Sequence, residues 1–460
     1  MNGLTIYDYL LFPIYLYLVF LVFKKMQAKY KDKKHLYLYF TWGFRIKIAS
    51  IVIYTLLINY SLRGDSVNIY FAEGKHFTEM IKENPSQVSL LFTNGGTYID
   101  SLADEECKGY LQYESNYLVV KFAIILCFLT FSKFLLICLI LGFIAFLGSW
   151  QLFMFFYNYY PYLHKQFAIA ALAIPNVIFW TSGLSKDTIC MASIGFLAKA
   201  LFDIFVNKKK YLANAAIVFF ACFCIYTIKP YILYSFLPFY SSFLVFHSIK
   251  NASTIIHRWA LMFLIPLAFL LIAYIFADGL EEQIKEFSSE KLMESVTHTQ
   301  SSFARQASTT EGSFFSIGEF DGTLNSFLSL TPKAIFATLF RPFVWESRNI
   351  IMMASALENL ALTLFIILIF IKNGGILNFF RKLLTEPLVF FCIFYTILFF
   401  AFVGVTTSNF GSLVRYKIPA IPFLISGLII IYYKRPDTLK TAVTDPLTPP
   451  AIVPNDPGFL

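Results

Sequence analysis

Eleven polar residues stand out in this chain because nearly everything around them is apolar. Asp65 lies in Arg63-Gly64-Asp65-Ser66, with Tyr70 close behind. A carboxylate there can take a proton from a hydroxyl, help hold a divalent metal, or cap the helix that follows. Lys186-Asp187 closes the turn Trp180–Asp187, where the pair can meet a phosphate, bond to each other, or cap a helix start. Lys229-Pro230 interrupts an apolar run that resumes at once, and a charge between two apolar segments needs a reason: an anionic group to bind, or water within snorkelling reach. Arg341, Trp345, Glu346 and Arg348 cluster in one short stretch. Arginine forks onto phosphate oxygens, and an exposed tryptophan stacks on a sugar or anchors at a membrane interface. Arg415 and Lys417 flank Tyr416 ahead of Pro419 and Pro422.

These groups must be positioned by membrane helices. The 460 residues are 58% hydrophobic and 14% charged, against about half and a quarter in an ordinary soluble domain. The apolar residues collect in runs of roughly 17–25, enough to cross a hydrocarbon core as a helix. The expected fold is an all-α integral membrane protein, a polytopic bundle of about eleven transmembrane helices with interfacial helices in its outer loops. The spans fall near 6–23, 38–60, 134–157, 166–181, 188–206, 212–228, 231–248, 258–277, 354–372, 387–404 and 417–433. Residues 1–435 form the membrane domain, with outer loops at 61–133 and 278–353, and 436–460 form a disordered cytoplasmic tail.

Positive charge sets the direction. Lys24, Lys25 and four further lysines by position 34 follow the first apolar run, which places the N-terminus outside. Arg45 and Lys47, near the start of the second span, are expected to snorkel to the cytoplasmic interface. The stretch 117–131 decides the rest. If it lies at the interface, Lys208, Lys209, Lys210, Lys372, Arg381, Lys382 and the C-terminus all fall inside, as the charge rule prefers. The polar candidates then share the outer face. Asp278 to Ser295 has the spacing of a helix lying flat on the membrane.

The formal charge of +9 does not point to nucleic acid, because the basic residues sit in short runs between apolar segments. Of seven cysteines only Cys107 falls in a polar loop, so the others are expected to be buried. Walker, dinucleotide-binding, zincin and nucleophile-elbow patterns are missing from the sequence.

The order of these features resembles the GT-C class of membrane glycosyltransferases, such as those acting with dolichyl-phosphate mannose or lipid-linked aminoarabinose. The resemblance rests on Gly64-Asp65 with Tyr70 in the first outer loop, on Asn116 to Phe134 as a short interfacial helix leading into a span, on Pro175 to Asp187, on Ile228-Lys229-Pro230, and on Arg415-Tyr416 with Pro419 and Pro422. It implies a polyprenyl-phosphate-linked sugar as donor and a glycan, lipid or protein as acceptor, in cell-envelope synthesis at a bacterial inner membrane. On that reading Asp65 is the base, and Lys229, Arg341 and Arg415 hold the donor phosphate. Tyr70, Lys186, Asp187, Trp345, Glu346, Arg348 and Lys417 are further candidates. No cofactor is required, and a divalent metal is admitted. An envelope polysaccharide polymerase or ligase, and a non-enzymatic lipid-linked-sugar transporter, are the alternative expectations. The first span is additional to the usual core of the class.

Overall fold

The computed structural model describes residues 3–62, 64–95, 110–111, 113–248, 263–268, 315, 317–318, 324–372, 375–407 and 409–433. Cys107, the 278–295 stretch, most of the 258–277 span and the 436–460 tail lie outside these residues. Helices make up the regular structure, and there is no β-strand among the described residues. Seven helices are long and apolar enough to cross a membrane, or eight if a bent pair near the C-terminal end of the described chain counts as one span. The protein is therefore a multi-pass helical membrane protein.

The chain forms two compact units. The first comprises residues 1–153, 168–204 and 209–233, and the second 154–167, 205–208 and 234–460. In the first unit, α1 (Ile6–Gln27) and α2 (Lys34–Leu57, prolonged by a π-helical turn Ile58–Leu62) form an antiparallel pair. Asn59 near the end of α2 accepts the backbone N–H groups of Gly3 (2.7 Å) and Leu4 (3.2 Å) ahead of α1. After a second π-helical turn, Ser66–Phe71, come α3 (Ala72–Glu83) and α4 (Glu114–Thr130). Gly74 packs on the Ala123 methyl, so the two helices approach closely where one of them carries no side chain.

The ambiguous 117–131 stretch is α4. Just ahead of α4, Tyr110 bonds to Asp65. Past its other end Lys133 reaches Thr5 (3.2 Å), and Asp8 accepts the N–H of Leu135 (3.0 Å) at the start of α5 (Phe134–Tyr159). Residues 5–8, 65–70, 110 and 133–135 belong to one end of the α1–α2 pair. The chain thus leaves and re-enters the α1–α2 pair at the same end. Helix α5 runs to the opposite end of α1, where Trp150 donates to the Tyr30 hydroxyl (2.8 Å).

The stretch 166–181, expected to be one span, is instead broken. It consists of α6 (His164–Leu172) and α7 (Pro175–Trp180), followed by a non-helical run to Ser185. Proline disfavours helical backbone at the residue before it, which places the interruption at Ala173-Ile174. Helices α8 (Lys186–Phe205) and α9 (Tyr211–Ile228) run away and return. Where α8 crosses α5, the two backbones touch: a Cβ on Gly195 would stand 2.1 Å from the Gly148 carbonyl oxygen. Close approach of this kind supplies the packing that membrane helices cannot draw from the hydrophobic effect.

Lys47 corrects the snorkelling expectation. It lies midway along α2 and is only 5% exposed. Its ammonium donates to the carbonyl oxygens of Ile178 (3.1 Å) and Thr181 (2.7 Å) and to the Thr181 hydroxyl (2.7 Å). It therefore caps the open C-terminal turn of α7 from the neighbouring helix, where a cation also complements the helix dipole. Arg45 is exposed and lies over the Trp42 ring, 5.4 Å from its centroid.

Helix α10 (Tyr231–Ser248) follows the Lys229-Pro230 break and is continuous through Pro238. The second unit also contains α11 (Leu324–Phe340), α12 (Ile350–Lys372), α13 (Gly375–Thr385), α14 (Pro387–Thr406), α15 (Phe410–Tyr416) and α16 (Ile421–Tyr432). Helix α11 lies inside the segment expected to be an outer loop. It packs on α14 through Phe327, Leu330, Ala334, Ala401 and Val405. Helices α15 and α16 meet at 64°, so the expected 417–433 span begins at a bend. Five of the six cysteines described are buried and Cys222 is partly so.

Candidate functional site

The first unit gathers five of the sequence candidates at one end. Asp65 follows Gly64 between the two π-helical turns, a helical irregularity that recurs at functional positions. Its backbone is helical and its side chain caps nothing, so the capping alternative fails here. The carboxylate is half-buried and accepts the Tyr110 hydroxyl at 2.8 Å. Tyr70 is buried and donates to Asn116 Oδ1 (3.1 Å), whose amide in turn donates to the Tyr110 carbonyl (2.6 Å). Tyr110, Tyr70 and Asn116 therefore form a small hydrogen-bonded frame beside Asp65.

Lys186 opens α8 and donates to the Ser115 hydroxyl (2.9 Å), with Asp65, Asp187 and Lys229 all within electrostatic reach. Ser66 Oγ donates to the Leu184 carbonyl (2.7 Å), which ties the Asp65 segment to the turn that carries Lys186. Gly183 makes this possible, because a Cβ there would fall 1.9 Å from the Tyr54 ring. Asp187 and Lys229 form an ion pair at 2.7 Å with exposures of 1% and 4%. The Lys229-Pro230 break thus turns an ammonium inward onto the first turn of α8.

The second unit holds the remaining candidates. Arg341 Nε donates to Glu346 at 2.9 and 3.3 Å, and its Nη2 donates to the same carboxylate. The guanidinium lies over the rings of Phe315 and Phe410, 5.0 and 4.8 Å from their centroids, and those two rings stack on each other at 4.9 Å. Burial alone would raise the Glu346 carboxyl. Hydrogen bonds from Arg341 and the Phe343 N–H, together with the charge of Arg341, outweigh it and hold the group below the usual carboxylate range. Trp345 is 81% exposed and stacked on Phe343 at 4.8 Å, and Arg348 is exposed. Arg415 is half-buried on α15. Lys417, 1% exposed at the α15–α16 bend, donates to the Thr338 carbonyl (3.1 Å) and to Asn359 Oδ1 (2.7 Å).

Among the described residues no three His, Cys, Asp or Glu side chains are grouped so as to hold a metal ion. Sequence reasoning missed Tyr110, Asn116 and Ser115 as partners of the charged residues, and Lys47 as the cap of the broken segment. Their only sequence signal was polarity within an apolar setting. What the first cluster can do chemically is clear from its parts. It offers one half-buried carboxylate held by Tyr110, an ammonium held by Ser115, and an internally neutralised Asp187–Lys229 pair beside them. Comparison with protein family models, with curated proteins and with solved structures finds no match.

Proposed function

We propose that the protein is a membrane glycosyltransferase that moves a sugar from a polyprenyl-phosphate-linked donor to an acceptor hydroxyl. The observation that carries this reading is the convergence of Asp65, Lys186, Asp187 and Lys229 at one end of the first unit. In the reaction, Asp65 takes the acceptor proton as the acceptor oxygen bonds to the anomeric carbon. The bond from that carbon to the phosphate oxygen breaks, and polyprenyl phosphate leaves with the electron pair. Lys186 is the cation best placed to stabilise the charge growing on the phosphate, because Lys229 is engaged by Asp187. Tyr110 holds the Asp65 carboxylate in place for the acceptor.

The topology that goes with this reading is the eleven-span thread with the N-terminus outside and the C-terminus cytoplasmic, in a bacterial inner membrane. It puts the Asp65 cluster on the outer side. Single cysteines at exposed Ser61 and Lys209, probed in intact cells with an impermeant thiol reagent, test it. Labelling at 61 and protection at 209 is expected, and the reverse overturns the outward site.

The chemical test uses purified protein in lipid nanodiscs with a panel of synthetic decaprenyl-phosphate hexoses and pentoses and a mixed set of glycan, lipid and peptide hydroxyl acceptors, reading release of decaprenyl phosphate. Release by the wild type and its loss in Asp65→Asn, with donor binding retained, is expected. Full release in Asp65→Asn ends the base assignment, and no release with any donor ends the glycosyl-transfer reading. A lipid-linked-sugar transporter is the second reading. The break between α6 and α7 and the bend between α15 and α16 favour it, since interrupted helices line transport sites. Movement of intact donor across proteoliposomes without cleavage distinguishes it.

A further inference from the structure

The second unit contains an open recess of about 560 Å³ on the side of α11, closed by the turn at 341–346. Its size falls in the range of about 300–1,000 Å³ typical of small-ligand sites. One wall is aromatic. Phe336 and Trp345 are both largely exposed, and Phe343 stacks on Trp345 at an interplanar angle of 15°. Two flat apolar surfaces left open in this way suit a ring whose faces are C–H and whose edges are hydroxyl. The Arg341–Glu346 pair stands at the same recess, fixed from behind by Phe315 and Phe410. Such a pair presents a donor and an acceptor side by side, as vicinal hydroxyls require.

Lys333 supplies the remaining chemistry. It lines the recess one turn of α11 ahead of Phe336 and Ala337, is exposed, and has no ion pair among the described residues. The charges of Arg341 and Glu346 cancel, so the described lining of the recess carries one further positive charge, that of Lys333. A neutral sugar would leave that ammonium unused, and an inorganic anion would leave the aromatic wall unused.

We propose that this recess binds a sugar phosphate, with the ring on the Phe336–Phe343–Trp345 wall and the phosphate on Lys333. This rests on the glycosyl-transfer reading for its biological sense, and it adds a phosphosugar subsite in the second unit. The phosphosugar is either free or the headgroup of a lipid, and the chemistry recognised is the same.

The test is equilibrium binding, independent of turnover, on the full chain in nanodiscs of zwitterionic lipid. The probes are the 1-phosphates of glucose, galactose and mannose, glucose itself, inorganic phosphate, and farnesyl-phosphoryl glucose. At least one sugar 1-phosphate is expected to bind at least tenfold more tightly than glucose or phosphate. Lys333→Gln and Trp345→Ala are each expected to weaken it about tenfold. Both substituted side chains are exposed, and an unchanged thermal unfolding curve shows that the variants fold. Tighter binding of farnesyl-phosphoryl glucose assigns the lipid-borne source, and equal binding assigns the free one. Failure of all three sugar phosphates to bind, or wild-type binding by both recess variants, overturns the site. Retained sugar-phosphate binding alongside absent donor cleavage would refute glycosyl transfer while leaving the recess standing.

Discussion

Replacing Asp187 with alanine tests whether the Lys229 break is held by its ion pair. At 2.7 Å the two charges attract with a gross energy of about 6 kcal/mol at an effective dielectric constant of about 20. Removing both from water offsets much of that, so the pair itself contributes little net stability. Removing one partner is different. Lys229 is 4% exposed, and its buried ammonium would lose its carboxylate at a cost of about 3–5 kcal/mol. That is about two to four orders of magnitude in the folding equilibrium, at 1.36 kcal/mol per decade. The double variant Asp187→Ala/Lys229→Met removes both charges and should return to within about 1 kcal/mol of the wild type. Unfolding in mixed micelles of rising SDS fraction, followed by near-ultraviolet circular dichroism, measures all of these. A single variant within about 0.5 kcal/mol of wild type, or a double variant no more stable than the single, refutes the reasoning.

Three further outcomes follow from the packing and charge described above. Gly195→Leu should lower stability by about 1–3 kcal/mol or more, because its side chain has no space against the Gly148 backbone; the same unfolding assay reads it. Lys47→Met should cost about 1–3 kcal/mol, chiefly through the Thr181 carbonyl, since the Ile178 carbonyl keeps the Ser182 hydroxyl at 2.6 Å, and should speed proteolysis or hydrogen exchange at residues 178–185. Glu346 has a depressed folded-state pKa, so its stabilisation is present above the ordinary carboxylate value of about 4.5 and fades as pH falls through the lower folded value. Glu346→Gln should flatten that part of a melting-temperature profile measured from pH 6 down to pH 3.

The sequence made the charged candidates visible because an ionised group in an apolar chain needs a structural or functional reason. Asp65, Lys186, Asp187 and Lys229 could be expected to meet since short turns at the ends of spans share a membrane face. Their pairing could not be read, because a choice between Lys186 and Lys229 as the partner of Asp187 depends on how α8 and α9 are rotated. Lys47 was misplaced for a related reason. Its helix begins at Lys34, so the residue sits thirteen positions inside, beside carbonyls more than 130 residues away. Pro175 carried a signal for the α6–α7 break, but average hydropathy across 166–181 hid it. Helix α11 was hidden in the opposite way, since Pro332 and its Ser and Thr residues make the segment look like loop. The recess depended on Lys333, an ordinary exposed lysine until the fold places an aromatic wall beside it.

The Lys47 cap has a consequence for how the chain is made. A lysine at the middle of a helix inserts at a cost of about 2.5–3.5 kcal/mol on translocon scales. The oxygens that solvate this one belong to Ile178 and Thr181, which are synthesised 131 and 134 residues later. At about 5–20 residues per second, α2 waits on the order of ten seconds for its partner. During that interval it must stay beside the insertion machinery or ride high toward the headgroups, with its ammonium in water. Biogenesis of the first unit is therefore ordered in time: α2 reaches its final depth only once the broken α6–α7 segment has been made and packed against it.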